Sequence, residues 1–70
     1  MRYFLITYNA RNERKEGYGA LWFPMDGFPS NKFIRHQATK DGLMASKDIV
    51  ITNIFEFKSE QDYKDFVSEN

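Results

Sequence analysis

The stretch KDIVITNIFEF, Lys47 to Phe57, carries the strongest strand signal in the chain. β-Branched and aromatic residues dominate it, and they recur at the two-residue period of a pleated strand. Strict alternation puts Ile49, Ile51, Phe55 and Phe57 on one face and Val50, Thr52, Ile54 and Glu56 on the other. Directly after it, Ser59 with Asp62 three residues on resembles a capping box. Acidic groups crowd the first turn, where a helix N-terminus favours negative charge. Tyr63, Phe66 and Val67 then follow at helical spacing, so EQDYKDFVSEN predicts a helix that lays one face on a sheet.

Working outward, MRYFLITY reads as a strand from about Arg2 to Tyr8, with Tyr3, Leu5 and Thr7 on one face and Phe4, Ile6 and Tyr8 on the other. Both faces are largely apolar, which suits a central strand covered on two sides. NARNERKE interrupts the pattern with charge, and GYGALWF resumes it up to Pro24. A hairpin follows, with a loop expected from Asn9 to Glu16, too long for a two-residue turn. Gly17 and Gly19 share a face of the second strand, which points to a bulge, a strong twist or the close approach of another group.

PMDGFPS concentrates turn formers and ends that strand. Ser30 is placed to cap NKFIRHQATK, a short helix with Phe33, Ile34, Gln37 and Ala38 on one face, and Asp41-Gly42 supplies its stop. The order is therefore ββαβα, a small α+β fold in one compact domain, residues 1–70. The simplest arrangement is a three-stranded antiparallel sheet with the first strand in the middle and two short helices on one face. The other face is then left with exposed apolar side chains.

Composition narrows the function. No cysteine is present, so neither a disulfide nor a thiolate zinc site can brace so short a chain. A cytoplasmic location fits. Seven Phe, four Tyr and one Trp must supply most of the core, or an interface. The run YFLITY is too short for a signal peptide core or a membrane span, and no membrane partner is expected. Ten basic and ten acidic residues cancel. They are not evenly spread, since residues 1–40 hold seven cations against three anions and residues 41–70 hold three against seven. Such an asymmetry either pairs off in the fold or makes the surface dipolar.

Chemistry is sparse. His36 has no carboxylate or second ligand at useful spacing and reads as a solvent-facing or partly packed helix residue. Glu60, Asp62, Asp65 and Glu69 read as a solvated helix face, and Asp26-Gly27 as a turn. There is no glycine-rich phosphate loop, nucleophile elbow or zinc-protease motif, so no enzyme, cofactor or metal is expected. The best functional lead is the mixture of cations and rings at Arg11, Arg14, Lys15, Tyr18 and Trp22, with Tyr3 on the neighbouring strand. Phosphates need unpaired cations and bases need exposed rings, as in single-strand binders. Glu13 and Glu16 weaken that potential, and Trp22 reads more simply as a core or interface ring shielded from solvent. The expected function is a small non-enzymatic interaction or regulatory module that binds a protein partner or a second copy of itself through a sheet face or edge. The alternative is a single-stranded nucleic-acid binder.

Overall fold

The computed structural model describes residues 1–14, 16–40 and 45–69. The chain forms β1 (Arg2–Arg11), β2 (Glu16–Met25), α1 (Asn31–Ala38), β3 (Ile49–Glu56) and α2 (Glu60–Glu69), with a short 3-10 turn at Ser46–Asp48 leading into β3. The sheet order is β2-β1-β3, and β1 is antiparallel to both neighbours. This is the small α+β fold expected, with the first strand in the middle. Since β2 and β3 both oppose β1, they run parallel to each other, and α1 is the crossover that carries the chain over β1.

The hairpin is longer than the hydrophobic pattern indicates. Pairing continues through Asn9↔Tyr18, Ala10↔Gly17 and Arg11↔Glu16, so the strands close to a four-residue loop instead of opening at Asn9. Backbone hydrogen bonds do not require apolar side chains, and here small Ala10 and Gly17 face inward while Arg11 and Glu16 face water. On the inward side, Gly19 lies opposite Tyr8, and a Cβ on Gly19 would overlap the Tyr8 ring. The two-apart glycines therefore do mark a close approach, at Gly19.

Phe4, Ile6, Tyr8 and Ala10 project to one face of β1, and α1 covers them. Ser30 accepts a hydrogen bond from the Phe33 amide at 3.1 Å and starts that helix as expected. Ile34 and Ala38 are its buried residues. Phe4, Ile6 and Ile34 form one buried cluster, with Leu21, Phe23, Met25, Ile51 and Ile54 packed around it. Ala10, Ala38 and Ile49 form a second beside Tyr8 and Leu21. The proposed Asp41-Gly42 stop lies outside the described residues.

The two helices do not share a face. Tyr63 of α2 stacks on Tyr3 at 4.8 Å between ring centroids, and Phe66 meets Trp22 and Phe57 at 5.6 and 5.5 Å. Tyr3 and Trp22 project opposite to Phe4 and Phe23, so α2 lies on the far side of the sheet from α1. The reason is that both faces of β1 are apolar. Once the crossover helix has taken one face, burial of the other draws in the next helix.

A second departure concerns β3. Thr7 opposes Asn53 and Tyr8 opposes Ile51, which leaves Thr52 as an extra residue. This bulge resets the alternation. Ile49, Ile51, Ile54 and Glu56 consequently share the α1 face, whereas Val50, Phe55 and Phe57 lie on the α2 face. The strict alternation read from the sequence, with Ile49 and Ile51 beside Phe55 and Phe57, is corrected by this one residue. The hydroxyls of Thr7 and Thr52 hydrogen-bond at 2.9 Å across the irregularity.

Candidate interaction surface

The α2 face of the sheet can be followed in cross-strand rows. Pro24, Tyr3 and Phe57 form the first, where the Phe57 amide donates to the Tyr3 carbonyl at 2.9 Å. Next come Trp22-Leu5-Phe55, Ala20-Thr7-Asn53, Tyr18-Asn9-Val50 and finally Glu16-Arg11. α2 stands over the first row and reaches the second through Phe66, which meets Trp22 edge-on. The half-exposed rings of the second row, Phe55 at 48% and Trp22 at 41%, and the rows beyond it, with Tyr18 81% and Val50 59% exposed, form an incompletely covered ledge. By strand geometry the ledge measures roughly 14 by 20 Å, or about 300 Å². Within that footprint Tyr18, Val50, Phe55 and Trp22 are the exposed large apolar groups, set among polar Thr7, Asn53, Asn9, Glu16 and Arg11.

The residues singled out in the sequence are partly assembled here. Tyr3, Trp22, Tyr18 and Arg11 do share this face. Tyr3 is engaged, however, since its ring stacks on Tyr63 and its hydroxyl donates to Glu60 at 2.9 Å. That bond to a carboxylate is the main cause raising the Tyr3 pKa above its ordinary value. Trp22 is neither a shielded core ring nor a free one, because Phe66 covers part of it edge-on and the rest faces solvent. Arg11 and Arg14 are exposed, and among the described residues neither side chain makes an ion pair. Arg14 belongs to the loop, where its amide donates to Asn12 Oδ1 at 2.8 Å. Lys15 lies outside the described residues.

Phe55 and Val50 belong to this surface and were not singled out in the sequence, because the bulge that turns Phe55 toward Trp22 has no local signature beyond the polar Thr52-Asn53 pair. Asn9 lies between Tyr18 and Val50. Its Oδ1 is shielded from solvent without a hydrogen-bond partner in the structure, an acceptor left open in the middle of the ledge.

The charge asymmetry is only partly neutralised within the chain. Arg2 donates from Nε and Nη2 to the two carboxylate oxygens of Glu56, each at 2.8 Å, and its guanidinium also lies over Phe4 and Phe28. The Arg2 hydrogen bonds hold the Glu56 pKa below its ordinary value. The other described ion pair, Lys64 with Glu60 at 3.9 Å, stays within α2. Asp62, Asp65 and Glu69 are exposed on that helix, and His36 is exposed on α1.

A polar cleft of about 450 Å³ opens beside the hairpin loop, lined by Asn12, Glu13, Arg14, Lys47 and Asp48. Its two cations and two anions balance, and it holds no nucleophile beside a base. Among the described residues no group of three or more His, Asp or Glu side chains could hold a metal ion. Among the described residues no helix is long and apolar enough to cross a membrane. No protein-family model matches this chain, and no curated protein or solved structure is significantly similar to it.

Proposed function

We propose that this chain is a non-enzymatic interaction module that self-associates through the open half of its α2-side sheet face. The observation that carries the reading is the ledge itself, with Tyr18, Trp22, Phe55 and Val50 exposed on one face beside a helix that covers only the adjoining rows. Burial of such a surface is favourable at about 25 cal/mol per Å² of apolar area, before the cost of association. The sheet edges are poorer candidates. Pro24 lacks an amide hydrogen on the edge strand β2, and the bulge at Thr52 distorts the edge strand β3, two devices that discourage strand addition. A cytoplasmic location belongs to the same reading, supported by a sequence that uses no disulfide.

Sedimentation velocity over a range of concentrations tests the proposal. With a ledge of this size the association is micromolar or weaker, so a dimer should be evident by about 1 mM. Phe55→Lys, which removes a half-exposed ring that also meets Phe57 edge-on at 5.1 Å, should return the protein to a monomer, with circular dichroism checking that the fold survives. A wild-type chain that stays monomeric throughout would sink the reading.

The second reading, a single-stranded nucleic-acid surface, draws on the high exposure of Tyr18 and its place on the same face as Arg11. Tyr18 and Trp22 would stack on bases, and Arg11 and Arg14 would contact phosphates. Against it stand the commitment of Tyr3 to α2, the position of Glu16 opposite Arg11 and the acids of α2 beside the ledge. Titration with an oligothymidylate of about 15 nucleotides distinguishes them. Quenching of Trp22 emission with a salt slope of about 0.7 per phosphate contact supports nucleic acid. Unchanged emission supports the protein interface.

A further inference from the structure

The ledge and α2 together have a shape that selects its own copy as the occupant. α2 is a cylinder about 10 Å across resting on the first row of the sheet face and reaching Trp22 of the second. A second sheet packed on the ledge would lie about 10 Å above it. α2 and a partner sheet therefore occupy the same layer. If two chains meet ledge to ledge about a two-fold axis with their strands reversed, each α2 abuts the hairpin end of the other chain, and each ledge is filled by the other ledge. We infer that this lap joint is the dimer, with a second copy of the chain as partner. The inference rests on the reading of this face as a self-association surface.

Charge supports the same pairing. α2 carries Glu60, Asp62, Asp65 and Glu69 against Lys64 alone. Its C-terminal half reaches the second row, since Phe66 lies against Trp22 there as well as against Phe57 in the first, while Tyr63 lies against Tyr3 and Phe57 in the first. Asp65, which accepts a hydrogen bond from Gln61 at 2.8 Å, and Glu69 lie one turn apart on that half, and with the negative end of the helix dipole they make it acidic. What arrives in the lap joint is the far end of the partner's sheet, where Arg11 and Arg14, whose side chains make no ion pair among the described residues of their own chain, stand among Glu13 and Glu16. The ledge alone, at about 300 Å², falls well short of the roughly 800 Å² per partner of a standard interface. The two butt joints between α2 and the hairpin supply additional contact, so the complete lap joint is larger than a simple meeting of ledges.

A charge-swap experiment tests this arrangement. One variant combines Arg11→Glu with Arg14→Glu, and the other combines Asp65→Lys with Glu69→Lys, which places cations near a helix C-terminus where they are tolerated. Each variant alone sets like charges against each other at both joints and should dimerise about tenfold more weakly than wild type, while an equimolar mixture should recover the loss because both joints of the heterodimer are then complementary. Raising the salt from about 50 to 500 mM should weaken both the wild type and the mixture. Separate denaturation of each variant confirms that the fold survives. If the wild type dimerises and Phe55→Lys abolishes the dimer, but the charge variants and their mixture all behave like wild type, the lap joint is overturned while the ledge remains the interface. If the wild type does not dimerise at all, the ledge reading itself falls.

Discussion

Gly17 and Gly19 sit two residues apart on one face of β2, yet they answer different needs. A Cβ at Gly17 would have nothing within 4 Å, whereas one at Gly19 would overlap Tyr8. Gly17→Ala should therefore stabilise by about 0.5–1 kcal/mol, by restricting the unfolded chain. Gly19→Ala should destabilise by about 1–3 kcal/mol, because the Tyr8 ring must leave its place. Urea denaturation of both variants checks the contrast, and combining Gly19→Ala with Tyr8→Ala should give a strongly non-additive cycle. Glu56 supplies a second test at this scale. Its pKa is lowered in the folded chain by the Arg2 hydrogen bonds. The pair therefore contributes above the unfolded carboxylate pKa, about 4.3, and its contribution is lost as the pH falls through the lower folded value. Thermal denaturation from neutral to acidic pH should show a shallower acid decline for Glu56→Gln than for wild type. Identical acid limbs would mean that the pair is solvated away.

The two helices are secured differently. α1 buries Ile34 and Ala38 in the main core, whereas α2 has no fully buried residue among those described. Ring edges, the Tyr3–Glu60 hydrogen bond and the Ser59 cap, which accepts from the Asp62 amide at 3.1 Å, hold α2 in place. α2 should therefore open before the sheet does. Hydrogen exchange should show α2 amides exchanging well ahead of those of Ile34 to Ala38. Asn9 and Ala10, by contrast, should be protected, because they lie in the central strand with a partner on each side. Rapid exchange at Asn9 and Ala10 would restore the longer loop that their polarity suggests. α2 amides as slow as those of the sheet would contradict the loose docking.

At the scale of the molecule, the fully buried clusters lie between α1 and the sheet, and the aromatic face beneath α2 is only partly covered. A domain of this size has little stability to spare. Filling the ledge with a second copy adds burial that exists only in the dimer, so the melting temperature should rise with protein concentration by mass action. Differential scanning calorimetry at low and high concentration measures this. The Phe55→Lys variant should melt at the same temperature at both.

The order of elements, the central place of β1 and both serine caps were legible in the sequence because each rests on local physics. Hydrophobic period, turn chemistry and an oxygen placed to accept from a free helix amide act over a few residues. The shared face of Tyr3, Tyr18, Trp22 and Arg11 was also largely within reach of simple alternation. The placing of α2 opposite α1 was not, because which face a helix covers depends on what has already been covered. Nor was Phe55 legible as part of the ledge, since one extra residue at Thr52 reverses the phase of everything after it, and the pairing with β1 decides where that residue falls. Propensity and period belong to the chain. Register and the choice of face arise only when three strands compete to bury the same rings.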